Sequence, residues 1–384
     1  MSLVIIGTGL AGYNLAREWR KLNPDAPLVI LTRDDGRNYS KPMLSTGYTK
    51  GNRADELVMQ SAEQMAAQLK ADIRTGVSVT AIDPAAKTVT VNGESLVYDK
   101  LVLALGADAF QPPMDGDALH RVLTVNDLQD YGVFQTAADG KKDVIVVGGG
   151  LIGSEYANDL SNGGFRVQLV EPVGRVLPAL LPPVASEAVG NALAGLGVTF
   201  HFGVSVQAVH QDGDGVRATL SDGREIRGDL VLSAIGLRPR IGVAREAGLT
   251  VNRGIVVNRQ LQTSQPDIYA LGDCAEVDGL VLPYVLPLMA GARALAKTLS
   301  GQPTAVAYPA MPVQVKTPVC PVVVSPVFPG VQGEWAVDAQ DGNSVRASFC
   351  DGEGRLLGFA LTGSFAGDAA LKAQLAKEVP AWLP

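Results

Sequence analysis

Two stretches of the chain repeat one pattern of apolar and small residues. Leu3-Val4-Ile5-Ile6 is an unbroken apolar run that leads into Gly7-Thr8-Gly9-Leu10-Ala11-Gly12, and apolar positions then recur at Leu10, Tyr13, Leu15, Ala16 and Trp19. Val144-Ile145-Val146-Val147 leads into Gly148-Gly149-Gly150-Leu151-Ile152-Gly153, and Ser154-Glu155-Tyr156-Ala157 carries on from there. A short apolar run closed by glycine predicts a strand buried on both faces, and the 3.6-residue spacing after it predicts a helix. The second copy follows the first by about 140 residues, so the chain carries an internal repeat on the scale of a domain.

Each copy is a G-x-G-x-x-G set between a strand and a helix, the turn that cradles a dinucleotide pyrophosphate. Gly7 and Gly148 let the chain turn. Gly9 and Gly150 have no Cβ to hold a phosphate away. Gly12 and Gly153 let the helix press on the strand. The free N–H groups at the helix start, at Leu10 and Ala11 in the first copy, then face the phosphates with the positive end of the dipole. With 43 glycines in the chain the motif alone would be weak; the strand before it and the helix after it distinguish it from a plain glycine turn.

The strand after each helix is predicted to deliver a ribose-binding carboxylate. After Pro27-Leu28-Val29-Ile30-Leu31-Thr32 the candidates are Asp34 and Asp35, in a turn-like Arg-Asp-Asp-Gly. After Arg166-Val167-Gln168-Leu169-Val170 the candidate is Glu171, 18 residues beyond Gly153. A carboxylate there binds both ribose hydroxyls of NADH and repels the extra phosphate of NADPH. No arginine occupies 171–174, Arg175 being the nearest, which favours NADH.

Further patterns repeat. Leu101-Val102-Leu103-Ala104-Leu105 ends in Gly106, and Leu230-Val231-Leu232-Ser233-Ala234-Ile235 ends in Gly236. Short strands are predicted at 71–74 and 77–82, the latter carrying Val79, and a hairpin at 88–98 around Asn92-Gly93. A polar helical stretch is predicted from about residue 46 to Lys70, strand-like segments at 198–209 and 216–220, and a helix over 284–299. Ile268-Tyr269-Ala270-Leu271 delivers Gly272-Asp273, an aspartate that either binds a polyol or caps the next helix. From about Ala307 short alternating strands and a helix at 367–378 form an α+β cap. The expected fold class is α/β: two Rossmann-like dinucleotide-binding domains, one discontinuous over 1–110 and 237–310 and one over 111–236, with a small α+β C-terminal domain over 311–384.

Composition narrows the function. Among 384 residues, 47% are apolar and 18% charged, as in a soluble globular protein. No apolar run approaches the ~20 residues of a membrane span. The first strand starts at Leu3, so no signal peptide is expected and a cytoplasmic place is. The net charge of −7 argues against nucleic acid. Residues 1–53 nevertheless hold eight Lys/Arg against four Asp/Glu, a basic segment that either steers an acidic partner or is simply solvated. Three dispersed cysteines, Cys274, Cys320 and Cys350, form no disulfide framework, and His120, His201 and His210 lack metal-ligand spacing.

Together the two fingerprints, the strands ending at Gly106 and Gly236, and Gly272-Asp273 resemble the two-dinucleotide-binding-domain flavoproteins. The resemblance implies FAD in the first domain, a nicotinamide cofactor in the second, and the isoalloxazine between them, with Lys41-Pro42 passing beside it. In finer detail Tyr39-Ser40-Lys41-Pro42-Met43-Leu44-Ser45-Thr46, Leu271-Gly272-Asp273-Cys274-Ala275-Glu276-Val277 and Val315-Lys316-Thr317-Pro318-Val319-Cys320-Pro321 resemble bacterial NADH-dependent rubredoxin reductases. Next nearest are the reductases of flavorubredoxin, then ferredoxin-type reductases. Disulfide reductases, peroxidases and oxidases of this fold use cysteine beside the flavin, and residues 1–273 contain none.

What remains is direct chemistry at the flavin, and the resemblance implies hydride transfer from NADH to FAD and release of single electrons to a small acidic iron protein, rubredoxin. The resemblance implies a Lys–Glu ion pair at the flavin and nicotinamide, here Lys41 with Glu155, and places Lys316 near the flavin pyrimidine. From the residues alone, Glu155 could equally be a favourable carboxylate at a helix start, and Lys41 an exposed loop lysine. A redox-signalling flavoprotein that is reduced by NADH without passing electrons to a carrier is the alternative from another class.

Overall fold

In the computed structural model, which describes residues 2–328 and 330–384, the two repeats build two sheets of one design. The first runs, in spatial order, Ile268–Ala270, Lys100–Leu103, Leu3–Ile6, Leu28–Leu31 and Asp72–Arg74, all parallel. The second runs Val122–Leu123, Leu230–Ser233, Asp143–Val147, Arg166–Glu171 and Thr199–Phe202, also parallel. In each, the strand entering the glycine turn is central and its apolar run is buried, because both faces of a parallel sheet are covered. Each unit also carries a three-stranded antiparallel sheet, Val79–Asp83 with Thr88–Val91 and Glu94–Val97, and Val206–Asp212 with Gly215–Leu220 and Glu225–Gly228. Asn92 and Gly93 both have positive φ, 50° and 85°, as the tight hairpin requires.

The units differ in how the sheet is completed. The far strand of the first sheet, Ile268–Ala270, arrives only after the whole second unit has been made; that of the second, Val122–Leu123, precedes its own unit. The chain crosses out through Ala107–Ala109 and back through Leu237–Pro239, and these two segments pair antiparallel.

Three local expectations change. The polar stretch up to Lys70 is broken into a 3-10 turn Lys41–Thr46, a short helix Gly47–Lys50, a second 3-10 turn Ala54–Leu57, the strand Val58–Gln60 and the helix Ala62–Leu69. Gly51 in the left-handed region (φ 68°) stops the first helix, and a capping box of Ser61 with Gln64 starts the last. The stretch 198–209 splits at Gly203 (φ 75°), Thr199–Phe202 joining the parallel sheet and Val206–Asp212 the antiparallel one. The last helix is Ala369–Glu378, capped by Asp368, with a separate turn of helix Gly363–Gly367 before it.

The C-terminal region is an antiparallel sheet in the order Val313–Val315, Val322–Ser325, Leu356–Thr362, Ser344–Cys350, Glu334–Asp341. Side chains alternate across it. Val322, Val324, Val345, Ala347 and Ala360 share one core with Ala185, Ala188, Val189 and Ala192 of the helix Pro183–Gly195 in the second unit. Val323, Phe359 and Leu361 are covered instead by Leu375 and Val379. The cap therefore sits on the second unit, and its loop 316–321 reaches the helix that follows the second glycine turn.

Candidate functional site

The two glycine turns superpose in their close contacts. A Cβ on Gly12 would lie 1.9 Å from the Gly7 carbonyl oxygen, and a Cβ on Gly153 would lie 1.9 Å from that of Gly148. Gly7 and Gly148 have φ of +117° and +101°, and a Cβ on Gly7 would meet the Ala104 carbonyl at 2.2 Å. Gly9 and Gly150 differ: a Cβ there would meet nothing within 4 Å. They face open space at the starts of the helices Leu10–Leu22 and Leu151–Asn162, neither of which has a side-chain cap or an acid in its first turn. Uncapped N–H groups beside an open glycine are what a pyrophosphate fits, and the chain has two such cradles.

The carboxylates at the strand ends separate into different roles. Asp34 turns inward, its Oδ1 accepting from Thr8 Oγ1 (2.9 Å), Thr32 Oγ1 (2.7 Å) and the Gly36 N–H (2.9 Å), which leaves Oδ2 without a donor among the described residues. Asp35 turns outward to Arg37 at 2.8 Å. Thr8 lies inside the first glycine turn, so Asp34 is the one of the two held against the cradle. Glu171 is buried, Oε2 accepting from the Gly149 N–H at 2.7 Å and Oε1 from the Val173 N–H at 2.8 Å. Gly106 and Gly236 take φ of 69° and 109° where the chain leaves its sheets. Val79 opens its strand just after Val77, whose N–H bonds the Thr32 carbonyl at 2.9 Å, on the Asp34 side of the first sheet.

Asp273 follows Gly272, whose φ of +81° and closeness to Ala11 (a Cβ would lie 2.8 Å from it) put this turn against the first cradle. No helix follows for Asp273 to cap; the next element is the strand Ala275–Val277. Among the described residues its carboxylate accepts no hydrogen bond, and the Lys41 ammonium stands 3.9 Å away. An available half-buried carboxylate at that point suits the hydroxyls of a ribityl chain.

The expected pairing of Lys41 with Glu155 is not the one formed. Glu155, 0% exposed, accepts at Oε1 from the Lys316 backbone N–H (2.8 Å) and at Oε2 from the Lys316 ammonium and from Ser45 Oγ (2.5 Å). Lys41 bonds Asn126 Oδ1 at 2.8 Å. The reason is the 3-10 turn Lys41–Thr46: its first residue turns towards Asn126 and Asp273, while Ser45, four residues on, faces the helix Leu151–Asn162. Pro42 sets the start of that turn. Lys41 is desolvated, which lowers its pKa, against the opposing pull of Asp273.

Helix Leu151–Asn162 carries more than Glu155. Asp159 accepts the N–H groups of Tyr48 (3.0 Å) and Thr49 (2.7 Å), and Asn158 accepts that of Val319 at 3.2 Å. One helix thus holds both the 41–50 segment and the 316–319 loop. Asn126 and Asp159 belong to no motif, and Ser45, in the 39–46 segment, is not singled out by the sequence. The single sequence signal was the polar i, i+3, i+4 stripe Glu155-Asn158-Asp159 on a helix whose neighbours are buried.

The basic segment is largely engaged within the molecule. Arg20 bonds the carbonyls of Leu69, Asn23 and Ala26. Lys21 pairs with Glu18, Arg33 with Asp108, Arg37 with Asp35 and Asp55, and Arg53 with Asp139. Cys274 and Cys320 are buried. Burial pushes the Cys274 thiol up to about 11 and raises that of Cys320, so neither is a thiolate at neutral pH. Among the described residues no helix is long and apolar enough to cross a membrane.

Comparison with known proteins agrees with this geometry. The chain is 59% identical to the rubredoxin-NAD(+) reductase of Alcanivorax borkumensis, covering 100% of this chain and 99% of that one. It is 41% identical to the nitric oxide reductase FlRd-NAD(+) reductase of Aliivibrio fischeri, over 94% and 95% of the two. Among solved structures, a ferredoxin reductase of Rhodopseudomonas palustris superposes with a TM-score of 0.89 at 26% identity, over 99% of this chain and 95% of that one. The NADH:rubredoxin oxidoreductase of Clostridium acetobutylicum, at 19% identity and a TM-score of 0.81 over 98% and 94%, shares the fold. Residues 305–379 match the rubredoxin binding C-terminal domain. Residues 1–298, which hold both cradles, match the pyridine nucleotide-disulphide oxidoreductase family, and by that match the chain belongs to it.

Proposed function

We propose that this chain is an FAD-dependent rubredoxin reductase that draws on NADH. The observation that carries the reading is the rubredoxin-binding domain itself, matched over residues 305–379, whose Lys316 reaches Glu155 behind the second cradle. FAD held there would supply the redox chemistry, taking a hydride from NADH and giving up two electrons, one to each of two rubredoxin irons, with a proton released to solvent.

The residues then divide as follows. N–H groups at Gly9, Leu10 and Ala11 bind the FAD pyrophosphate, and Asp34 binds the adenosine ribose through its unoccupied Oδ2. Asp273 binds the ribityl hydroxyls, while Val79, Ala104 and Gly106 wall that crevice. The Gly148-Gly149-Gly150 turn and Gly153 take the NADH pyrophosphate, Glu171 its ribose hydroxyls, and Gly236 closes the crevice floor. Lys41 places a cation beside the reducible ring. Glu155, neutralised by Lys316, orients the nicotinamide carboxamide. The absence of cysteine from residues 1–273 is consistent with electrons leaving the ring without a thiol relay. Operating on NADH, the protein is placed in the cytoplasm.

A second reading, reduction of flavorubredoxin, has the 41% identity to the Aliivibrio fischeri protein behind it. Steady-state NADH oxidation with purified rubredoxin, flavorubredoxin and ferredoxin decides between them. The proposal expects the highest kcat/KM with rubredoxin. A yellow protein bleached by NADH that passes electrons to none of the three overturns it in favour of a signalling role. With the basic segment internally paired, raising the salt is expected to slow rubredoxin reduction only modestly.

A further inference from the structure

Lys41 is a half-buried cation whose one ion-pair partner among the described residues, Asp273, is 3.9 Å away, so something else must hold its ammonium in place. Asn126 does so at 2.8 Å, and Asn126 is itself held at its amide nitrogen and its backbone N–H. Its Nδ2 donates to the Ala107 carbonyl at 2.8 Å, and its backbone N–H donates to Asp130 Oδ2 at 2.9 Å. Since the amide nitrogen must face that carbonyl, only the amide oxygen can face Lys41. A second strut lies alongside: Tyr39 OH accepts the N–H of Leu128 at 3.2 Å, so residues 39–41 and 126–128 are joined twice. Asp127 caps the helix Leu128–Ala138 that begins there. Asn126 is 7% exposed and lies in the passage between the two units, in no fingerprint.

We propose that Asn126 is a positioning residue for the reductase, fixing the Lys41 ammonium in the crevice through its side-chain oxygen. The inference rests on the reading of Lys41 given above. An amide oxygen suits the task better than a carboxylate: it orients the ammonium without cancelling its charge, so the field at the reducible ring survives. The other charged groups acting on Lys41 are Asp273, Asp127, Asp130 and Arg240, and none comes within hydrogen-bond range.

The test uses FAD-loaded protein with Asn126→Leu, which keeps the volume and removes the acceptor, and Asn126→Asp, which adds charge. Stopped-flow reduction by NADH is measured in the wild-type and Lys41→Met backgrounds. The Lys41 ammonium is titrated by NMR on lysine-labelled protein, with FAD absorbance and urea midpoint as folding controls. Asn126→Leu is expected to slow reduction about tenfold, and to have no further effect once Lys41 is Met. The Lys41 titration should move down by about one unit in Asn126→Leu and up in Asn126→Asp, because only the second stabilises the ammonium. Equal slowing in both backgrounds, or titration shifts of one sign or none, overturns the inference. An unchanged rate in Lys41→Met with the opposed titration shifts intact overturns the role of Lys41 at the ring, while leaving Asn126 as its holder.

Discussion

Glu155 and Lys316 stand 161 residues apart in sequence, yet the Glu155 carboxylate takes both the backbone N–H and the side-chain ammonium of Lys316. The contact ties the C-terminal domain to the helix after the second cradle. A fully buried carboxylate is costly without such a partner. Lys316→Met is therefore expected to cost about 2–3 kcal/mol in urea unfolding, below the full cost of breaking a buried pair because Lys316 is 31% exposed. The double variant Glu155→Gln/Lys316→Met should recover part of that stability while still reacting slowly with NADH. Full recovery of the NADH reaction would remove Glu155 from nicotinamide binding.

Glycines that look alike in the motif should respond differently. Gly9→Ala and Gly150→Ala introduce a methyl into open space at ordinary backbone angles, φ −65° and −72°, so both variants should fold normally. Gly9→Ala should weaken FAD retention by about tenfold or more, as lost N–H···phosphate bonds imply. Gly150→Ala should instead raise the KM for NADH by a similar factor at full FAD content. Gly12→Ala, with its Cβ 1.9 Å from a carbonyl oxygen, should fail to accumulate as folded protein. Flavin absorbance per protein and NADH kinetics separate the three.

With the Cys274 and Cys320 thiols buried and raised in pKa, and Cys350 outside both motifs, none of the three should carry electrons. A variant with Cys274→Ala, Cys320→Ala and Cys350→Ser is expected to turn over rubredoxin within about twofold of the parent, and iodoacetamide should not inhibit the native protein. A large loss of turnover in a variant with normal flavin content would point to a thiol step.

On the proposed reading, Glu171 selects between NADH and NADPH. Its carboxylate is held by the N–H groups of Gly149 and Val173, so it cannot swing away from a 2′-phosphate. Glu171→Ala is expected to raise the NADPH-to-NADH ratio of kcat/KM by about tenfold or more, by removing a like-charge contact. Because those two N–H groups lose their acceptor, the KM for NADH should rise as well.

Burial raises the Asp159 carboxyl above its ordinary value near 3.8, despite the two backbone donors that pull it down. The folded protein then binds this proton more tightly than the unfolded chain does. The contribution to stability is complete below the unfolded pKa and is lost as pH rises through the folded one. Asp159→Asn should flatten that part of the stability curve, read as the difference from wild type in urea unfolding from about pH 4 to pH 7. A parallel pair of curves would show that Asp159 does not titrate differently on folding.

The strand–turn–helix units and the hairpin at Asn92-Gly93 were legible in the chain, because each is set by residues close together in sequence. The choice between Asp34 and Asp35 was not. It depends on which of two neighbouring side chains meets Thr8, 26 positions back from Asp34. Nor was the passage 107–127 legible, whose Asn126 meets Lys41 only after two units have folded on each other.

By itself, then, the sequence determined that there are two phosphate cradles, that no cysteine precedes residue 274, and which residue types the two motifs contain. Only the tertiary structure decided which lysine meets Glu155. Spacing in the chain says nothing of the direction a side chain takes from a 3-10 turn, and Lys316 is brought to the site by a sheet that packs on the helix Pro183–Gly195 of the second unit.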